Sequence, residues 1–333
     1  MTIRLTRRQS NLIIQTRLRL EGNALLAVVC PGQGSQSPGM LKSWLNSELG
    51  NHISEIASQI SNLDIKHLGS NATKEDISDT SLAQVLITLN TLISAESLNI
   101  RDIKPDQIIV SGHSVGEISS YFLAGIYTLN DALEIVTSRG KLMSEAAREN
   151  PNTGMVAILG GDREEIINEI SKFNLVPANI NSSSQIVAAG KLENIDKLFN
   201  NPPKGTKLVK LDVSAAFHSD FMLNAKVNFA SFVDKIIIND LKFRLVTNNQ
   251  GKLLTEKLVA MKELVGQITS PVRWDLCQET IKNEGVTGLL ELAPGGTLVG
   301  IAKREIPGVE MFALKSIEDI SSASDFVRKH TND

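Results

Sequence analysis

The stretch Ile108–Gly125, IIVSGHSVGEISSYFLAG, constrains the fold more than any other part of the chain. An apolar run enters Gly112-His113-Ser114-Val115-Gly116 and leaves at once in a helical pattern. A strand can pass into a helix that abruptly only through a sharp turn. Glycines on either side of the serine allow the bend and leave the hydroxyl exposed on strained backbone. The amide after the serine then faces the place where a tetrahedral oxyanion would form. The five-residue pattern alone is weak, because a Gly-Ser turn before a helix also serves as an N-cap; the buried strand in front of it favours a nucleophile elbow.

The rest of the chain supplies the setting. ALLAVV, from Ala24, reads as a buried strand ending at the glycine loop CPGQGSQ, and LKSWLNSELG after it reads as helical. DTSLAQVLITLNTLISAESL has the length and apolar spacing of a helix capped by Asp79 or Thr80, and helices are expected over 115–123 and 129–149. After the loop NPNTG the texture changes to strand, helix, strand, strand, helix, strand, from MVAILGG to TKLVKLDV, which is the ferredoxin-like split unit. Longer elements then resume and close on TGLLELAPGGTLVGIAKR, another strand, glycine turn and helix. The expected fold class is α/β: a large α/β-hydrolase-like domain with a mostly parallel sheet, plus an inserted ferredoxin-like subdomain. The corresponding boundaries are an N-terminal extension over 1–22, a discontinuous catalytic domain over 23–149 and 214–322, the small subdomain over 150–213, and a tail over 323–333.

Composition narrows the chemistry. A chain of 333 residues with 42% hydrophobic positions can bury a large core, and a net charge of −3 exerts no general pull toward nucleic acid or anionic lipid. Two cysteines, Cys30 and Cys277, cannot build a disulfide framework, and no CxxC or HExxH pairing points to a metal. No apolar run is long enough to cross a bilayer and no secretory signal opens the chain, so a cytoplasmic protein is expected. MTIRLTRRQSNLIIQTRLRL, with five arginines and no acid before Glu21, has the composition of an organellar presequence. An early start codon and a disordered tail are the preferred readings of that segment.

A serine nucleophile needs a base, and five histidines are available. His113 adjoins the serine but points elsewhere on an elbow; His52, His67 and His330 lie in polar, exposed-looking surroundings. His218, in VSAAFHSDFM, follows a strand and opens a helix, where it could face the elbow. Taken alone it reads as a hydrogen-bonded core histidine. PGQGSQ, Pro31–Gln36, ends an early strand where a second oxyanion donor would sit; as a dinucleotide loop it fails, having Ser37 where the fingerprint needs glycine.

CPGQGSQSPGM, SGHSVGE, SRGKLM, GMVAILGGD, ANINSSSQIVAAG, VSAAFHSDFM, QITSPVRW and ELAPGGTLVGIAKR, in this order and spacing, resemble the malonyl-CoA:acyl carrier protein transacylase family of fatty-acid synthesis from about Ala24 to Leu314. The resemblance implies an acyltransferase, an [acyl-carrier-protein] S-malonyltransferase, that needs no cofactor beyond its substrates malonyl-CoA and phosphopantetheinylated carrier. It implies Ser114 as acylated nucleophile and His218 as general base, oriented by the main-chain carbonyl of Gln267 in place of an aspartate. It further implies Gln33 and the Val115 amide as the oxyanion hole and Arg139 as the clamp on the malonyl carboxylate. His113 and Asn181 match positions along the acyl and pantetheine path. Nothing in the residues alone singles out Arg139, but a bidentate guanidinium suits a planar carboxylate, and losing such a buried pair costs roughly 2 to 5 kcal/mol. Phe217 with Val115 accompanies malonyl over methylmalonyl in the family, one methyl being worth about 1 to 3 kcal/mol.

Two departures stand out: Cys30 where phenylalanine or alanine is usual, and Ser183-Ser184 where a proline-glycine pair is usual. They bear on loop shape. The partners implied are a CoA thioester and an acyl carrier protein, with no nucleic acid or membrane, and nothing demands more than a monomer. The alternatives are a trans-acting acyltransferase of a polyketide pathway and a serine acyl hydrolase acting on acyl carriers; Arg139 argues against the latter, since neutral acyl chains need no carboxylate clamp.

Overall fold

Short apolar runs become strands in the computed structural model, which describes residues 24–213 and 215–331. The extension over 1–22 lies outside the described residues. The run after Ala24 is β1 (Leu26–Cys30), buried at every position. Three helices follow: α1 (Glu48–Ser61), α2 (Ile65–Asn71) and α3 (Thr80–Ser97). Asp79 is the N-cap of α3, its carboxylate accepting from the amides of Ser81 and Leu82, and most of α3 is buried because it is apolar around nearly its whole circumference. β2 (Ile108–Gly112) runs into α4 (Gly116–Leu123), and α5 (Leu129–Glu149) opens on a capping box of Thr128 and Asp131.

The chain then builds β3 (Thr153–Gly160), α6 (Arg163–Lys172), β4 (Val176–Ser182), β5 (Gln185–Lys191), α7 (Leu192–Asn200) and β6 (Thr206–Lys210). It returns through α8 (Leu223–Val233), β7 (Arg244–Val246), β8 (Leu253–Leu254), α9 (Lys257–Gly266) and α10 (Trp274–Asn283). β9 (Gly288–Glu291), α11 (Thr297–Glu305), β10 (Glu310–Ala313) and α12 (Ile320–Thr331) complete it.

The large sheet has the order β10-β9-β1-β2-β7-β8. All neighbours are parallel except β8, which returns antiparallel to β7. β1 sits inside this sheet and is covered on both faces: Leu26, Val28 and Cys30 join one core, Ala27 and Val29 the other. Cys30 and Gly112 are register partners, so the loop after β1 and the turn after β2 lie side by side at the carboxyl ends of adjacent strands, where open α/β sheets bind ligands. The second sheet is antiparallel with the order β4-β5-β3-β6. Its first strand is flanked by its third and fourth, the ferredoxin-like arrangement, and α6 and α7 contribute Ile166, Ile170, Ile195 and Leu198 to its separate core.

Three local readings change. LKSWLNSELG is not one helix: a 3-10 turn over Trp44–Asn46 precedes α1, because the Ser47 hydroxyl donates to the Trp44 carbonyl and accepts from the Gly50 amide, stopping the first turn and capping the next. The stretch read as a tail over 323–333 is, through Thr331, part of α12, held by buried Ala323, Phe326 and Val327. His330 on that helix is buried, its ring tilted against that of Phe326 with centroids 4.5 Å apart.

Candidate active site

At the end of β2 the backbone of Ser114 has φ of 52°, the left-handed region that L-residues other than Asn and Asp rarely enter. The flanking glycines are a steric requirement. A Cβ on Gly112 would lie 2.0 Å from the Gly116 carbonyl oxygen, and one on Gly116 would lie 2.2 Å from that of Cys30. Asn248, just beyond β7, brackets the turn: its Oδ1 accepts from the Ser114 amide at 2.8 Å and its Nδ2 donates to the Gly112 carbonyl at 2.6 Å.

The serine Oγ lies 2.8 Å from Nε2 of His218, whose Nδ1 donates to the main-chain oxygen of Gln267 at 2.8 Å. A carbonyl can only accept, so it fixes the imidazole proton on Nδ1 and leaves the Nε2 lone pair for the serine hydroxyl. Burial, and then the positive charge of Arg139, push the imidazole pKa down to about 3, so it is neutral near pH 7 and keeps its Nε2 lone pair free. Among the described residues no carboxylate hydrogen-bonds to this ring.

Arg139 projects from α5 and is fully buried. Its Nη1 donates to Oε1 of Gln84 at 2.6 Å and its Nη2 to Oε1 of Gln267 at 2.8 Å, with Ser114 Oγ 3.4 Å away. Its Nε has no acceptor. Burial lowers the pKa to about 10, so the group remains a cation at neutral pH. A buried cation whose hydrogen-bond partners are neutral amides and the nucleophile itself is unsaturated toward an anionic ligand.

Gln33 lies in the loop after β1. Its side chain donates to Thr80 and accepts from Gln84, both at 3.4 Å. Neither its backbone amide nor that of Val115 donates to an acceptor among the described residues, leaving two N–H groups on neighbouring loops for a developing oxyanion.

A cavity of about 380 Å³ opens on this centre, walled by Gln33, His113, Ser114, Phe217 and His218 from the large domain and by Met155 and Asn179 from the small sheet. His113 contacts Asn181 rather than substrate space alone, its Nε2 donating to Oδ1 at 2.8 Å, and burial lowers its pKa. Asn181, Arg139 and Gln267 are not among the residues that line this cavity, whereas Asn179, on the same strand as Asn181, is. The Ser183 hydroxyl, at one of the unusual turn positions, donates to Glu305 of α11 at 2.9 Å.

Three participants were not singled out by the sequence: Gln84, Asn248 and Glu117. Glu117, in the first turn of α4, is buried and accepts from the Asn248 amide at 2.6 Å and from Nε2 of Gln267. Burial raises its pKa to about 8. The signal available for Gln84 was a polar residue on the buried face of an apolar helix; nothing comparable marked Asn248 in LVTNNQG.

The acyl transferase domain family matches residues 27–319. A malonyl CoA-acyl carrier protein transacylase of Mycobacterium tuberculosis is 43% identical over 299 residues, covering 89% of this chain and 98% of the relative. One from Staphylococcus aureus is 31% identical over 305 residues, covering 88% and 96%. The crystal structure of MCAT from Mycobacterium tuberculosis superposes with a TM-score of 0.86 at 41% identity, covering 90% of this chain and 99% of that one. With an elbow, dyad and buried arginine on a fold and a sequence shared over nearly their whole lengths, this chain belongs to the malonyl CoA-acyl carrier protein transacylases of the acyl transferase family.

Proposed function

We propose that this protein moves the malonyl group of malonyl-CoA to the phosphopantetheine thiol of an acyl carrier protein, through a malonyl ester of Ser114, in support of fatty-acid synthesis. The observation that carries the reading is Arg139, a buried cation with only neutral partners 3.4 Å from the serine oxygen. The malonyl carboxylate takes up that guanidinium and brings its thioester carbonyl onto Ser114. His218 Nε2 accepts the hydroxyl proton as Oγ attacks, and the carbonyl oxygen becomes an oxyanion held by the amides of Val115 and Gln33. The C–S bond breaks, and His218 returns the proton to the departing CoA thiolate. The carrier's thiol then gives its proton to His218, attacks the ester carbonyl and displaces Ser114, which recovers the proton. Serine and histidine supply the nucleophile and both proton transfers, so the sequence of steps needs no cofactor. Phe217 fills the space an α-methyl group would occupy, and His113, oriented by Asn181, lines the path of the arm. We place the enzyme in the cytoplasm, acting as a monomer.

Intact-mass measurement after mixing the protein with malonyl-CoA, without carrier, tests the reading. The expected result is a malonyl adduct on the wild type, absent from Ser114→Ala and weak with acetyl-CoA. Rapid release of free malonate with no adduct would replace the transferase with a hydrolase, and neither adduct nor turnover would remove the catalytic reading.

A further inference from the structure

A serine in the left-handed region does not stay there by its own preference, and its buried amide has no partner in either flanking element. We propose that Asn248 is the positioning residue of the nucleophile, holding Ser114 in its strained conformation so that the hydroxyl meets His218 and the next amide faces the cleft. The inference rests on the acyl-serine reading given above.

A primary amide suits the task. It offers one acceptor and one donor on a single short side chain, matched here to the amide of Ser114 and the carbonyl of Gly112 on either side of the bend. An ionised aspartate would offer only acceptors, and a hydroxyl would be too short to reach both. Asn248 is itself fixed, its backbone amide donating to Glu117. Gln267 completes the clamp: Nε2 donates to the Ser114 carbonyl at 3.0 Å and lies 3.1 Å from Oδ1 of Asn248. That carbonyl shares a peptide plane with the Val115 amide, so holding the oxygen on one side directs the N–H to the other. Asn248 and Gln267 therefore secure both faces of the nucleophile's backbone, and both rest on Glu117.

The test compares wild type, Asn248→Ala and Asn248→Asp in the rate of malonyl-adduct formation from malonyl-CoA, and in parallel the rate of labelling by an alkyl fluorophosphonate, which reports an activated serine whatever its natural acyl donor. Asn248→Ala is expected to slow both by about 100-fold at every pH, as for a misplacement of about 1 Å, with KM for malonyl-CoA held within about threefold. Asn248→Asp carries a sharper signature. A protonated carboxyl reproduces the donor and acceptor of the amide, whereas the ionised form turns an oxygen toward the Gly112 carbonyl. The groups facing it are Glu117 from α4, the Cys277 thiol from α10 at 3.8 Å, and Arg139 across Gln267. Burial beside Glu117 moves the new carboxyl upward, so the rates should fall by about tenfold or more between roughly pH 4.5 and 7.5, a window in which the wild type is flat. A flat profile for Asn248→Asp, or Asn248→Ala within about threefold of wild type, would overturn the proposal. If the alanine variant fails to fold, the aspartate profile decides. If wild type gives no malonyl adduct, the acyl-transfer reading fails, while the fluorophosphonate series still judges Asn248.

Discussion

Replacing Arg139 with methionine removes the charge while conserving most of the buried volume, so the consequence for substrate choice can be worked from the contacts. In the resting site two guanidinium nitrogens are spent on the neutral amides of Gln84 and Gln267. A malonyl carboxylate replaces neutral acceptors with a charged one. Truncating one partner of a buried, hydrogen-bonded charge pair costs about 2 to 5 kcal/mol, and the bonds to amides that Arg139 gives up, already charge-assisted, offset part of it, so the pair favours malonyl by roughly 2 to 3 kcal/mol. At about 1.36 kcal/mol per factor of ten, Arg139→Met should lower kcat/KM for malonyl-CoA relative to acetyl-CoA by about 30- to 150-fold. Lysine at this position keeps the charge without the fork and should fall between the two. The assay is competition: equimolar malonyl-CoA and acetyl-CoA, with the two acyl-enzymes counted by intact mass, alongside kcat/KM for each donor. If both donors lose activity together, with the ratio moving less than about fivefold, Arg139 supports the site's structure and does not select the substrate, and the argument fails.

The pH dependence has a definite sign. His218 must be neutral to act, and its pKa is depressed to about 3, so acylation should stay level from neutrality down to about pH 4 and fall below it; a kinetic break near 6 to 7, the ordinary imidazole range, would show that the working imidazole is not buried as described. The same depression links to folding: the contribution of this neutral histidine is complete above the unfolded pKa of about 6.5 and is lost as pH falls toward the folded value, which acid titration of thermal stability in wild type and His218→Gln would separate. Phe217→Ala should improve methylmalonyl relative to malonyl turnover by about 10-fold or more. An unchanged ratio in steady-state competition would remove Phe217 as the gate.

How much of this could be read in the chain depends on whether a feature is local. The elbow was legible because a strand, two obligatory glycines and a helix are contiguous, and the sterics at Gly112 and Gly116 are met within a few residues. The small sheet was legible because strand and helix periods alternate there in short units. Helix α3 was legible with its cap narrowed to Asp79 or Thr80, of which Asp79 is the one that caps. Arg139 and Gln267 became visible only through resemblance to relatives, since an arginine on a helix says nothing about which way it faces. Asn248 and Glu117 were invisible: their partners lie 134 and 131 residues apart in sequence, and no period or motif brings such groups together. The misreadings have the same origin. Ser47 ends one turn and starts another through bonds that propensity does not count, and His330 looks exposed until α12 is packed against β9.

The strand β4 belongs to the small sheet, yet it also reaches across the seam. The Ile180 amide donates to the Val272 carbonyl and the Val272 amide to that of Ala178, each at 2.9 Å, while Gln278 donates to the Asn181 carbonyl and Ser183 to Glu305. Mechanically this edge is a weld and not a hinge. Another lip of the cleft, the segment after β6, carries Leu211 and Val213. Crosslinking that lip should trap a bound arm, whereas crosslinking the welded edge should leave entry and exit untouched. For an engineer grafting a different small subdomain onto this scaffold, the part to carry along is the matching loop around Val272, without which β4 would lose its backbone partners across the seam.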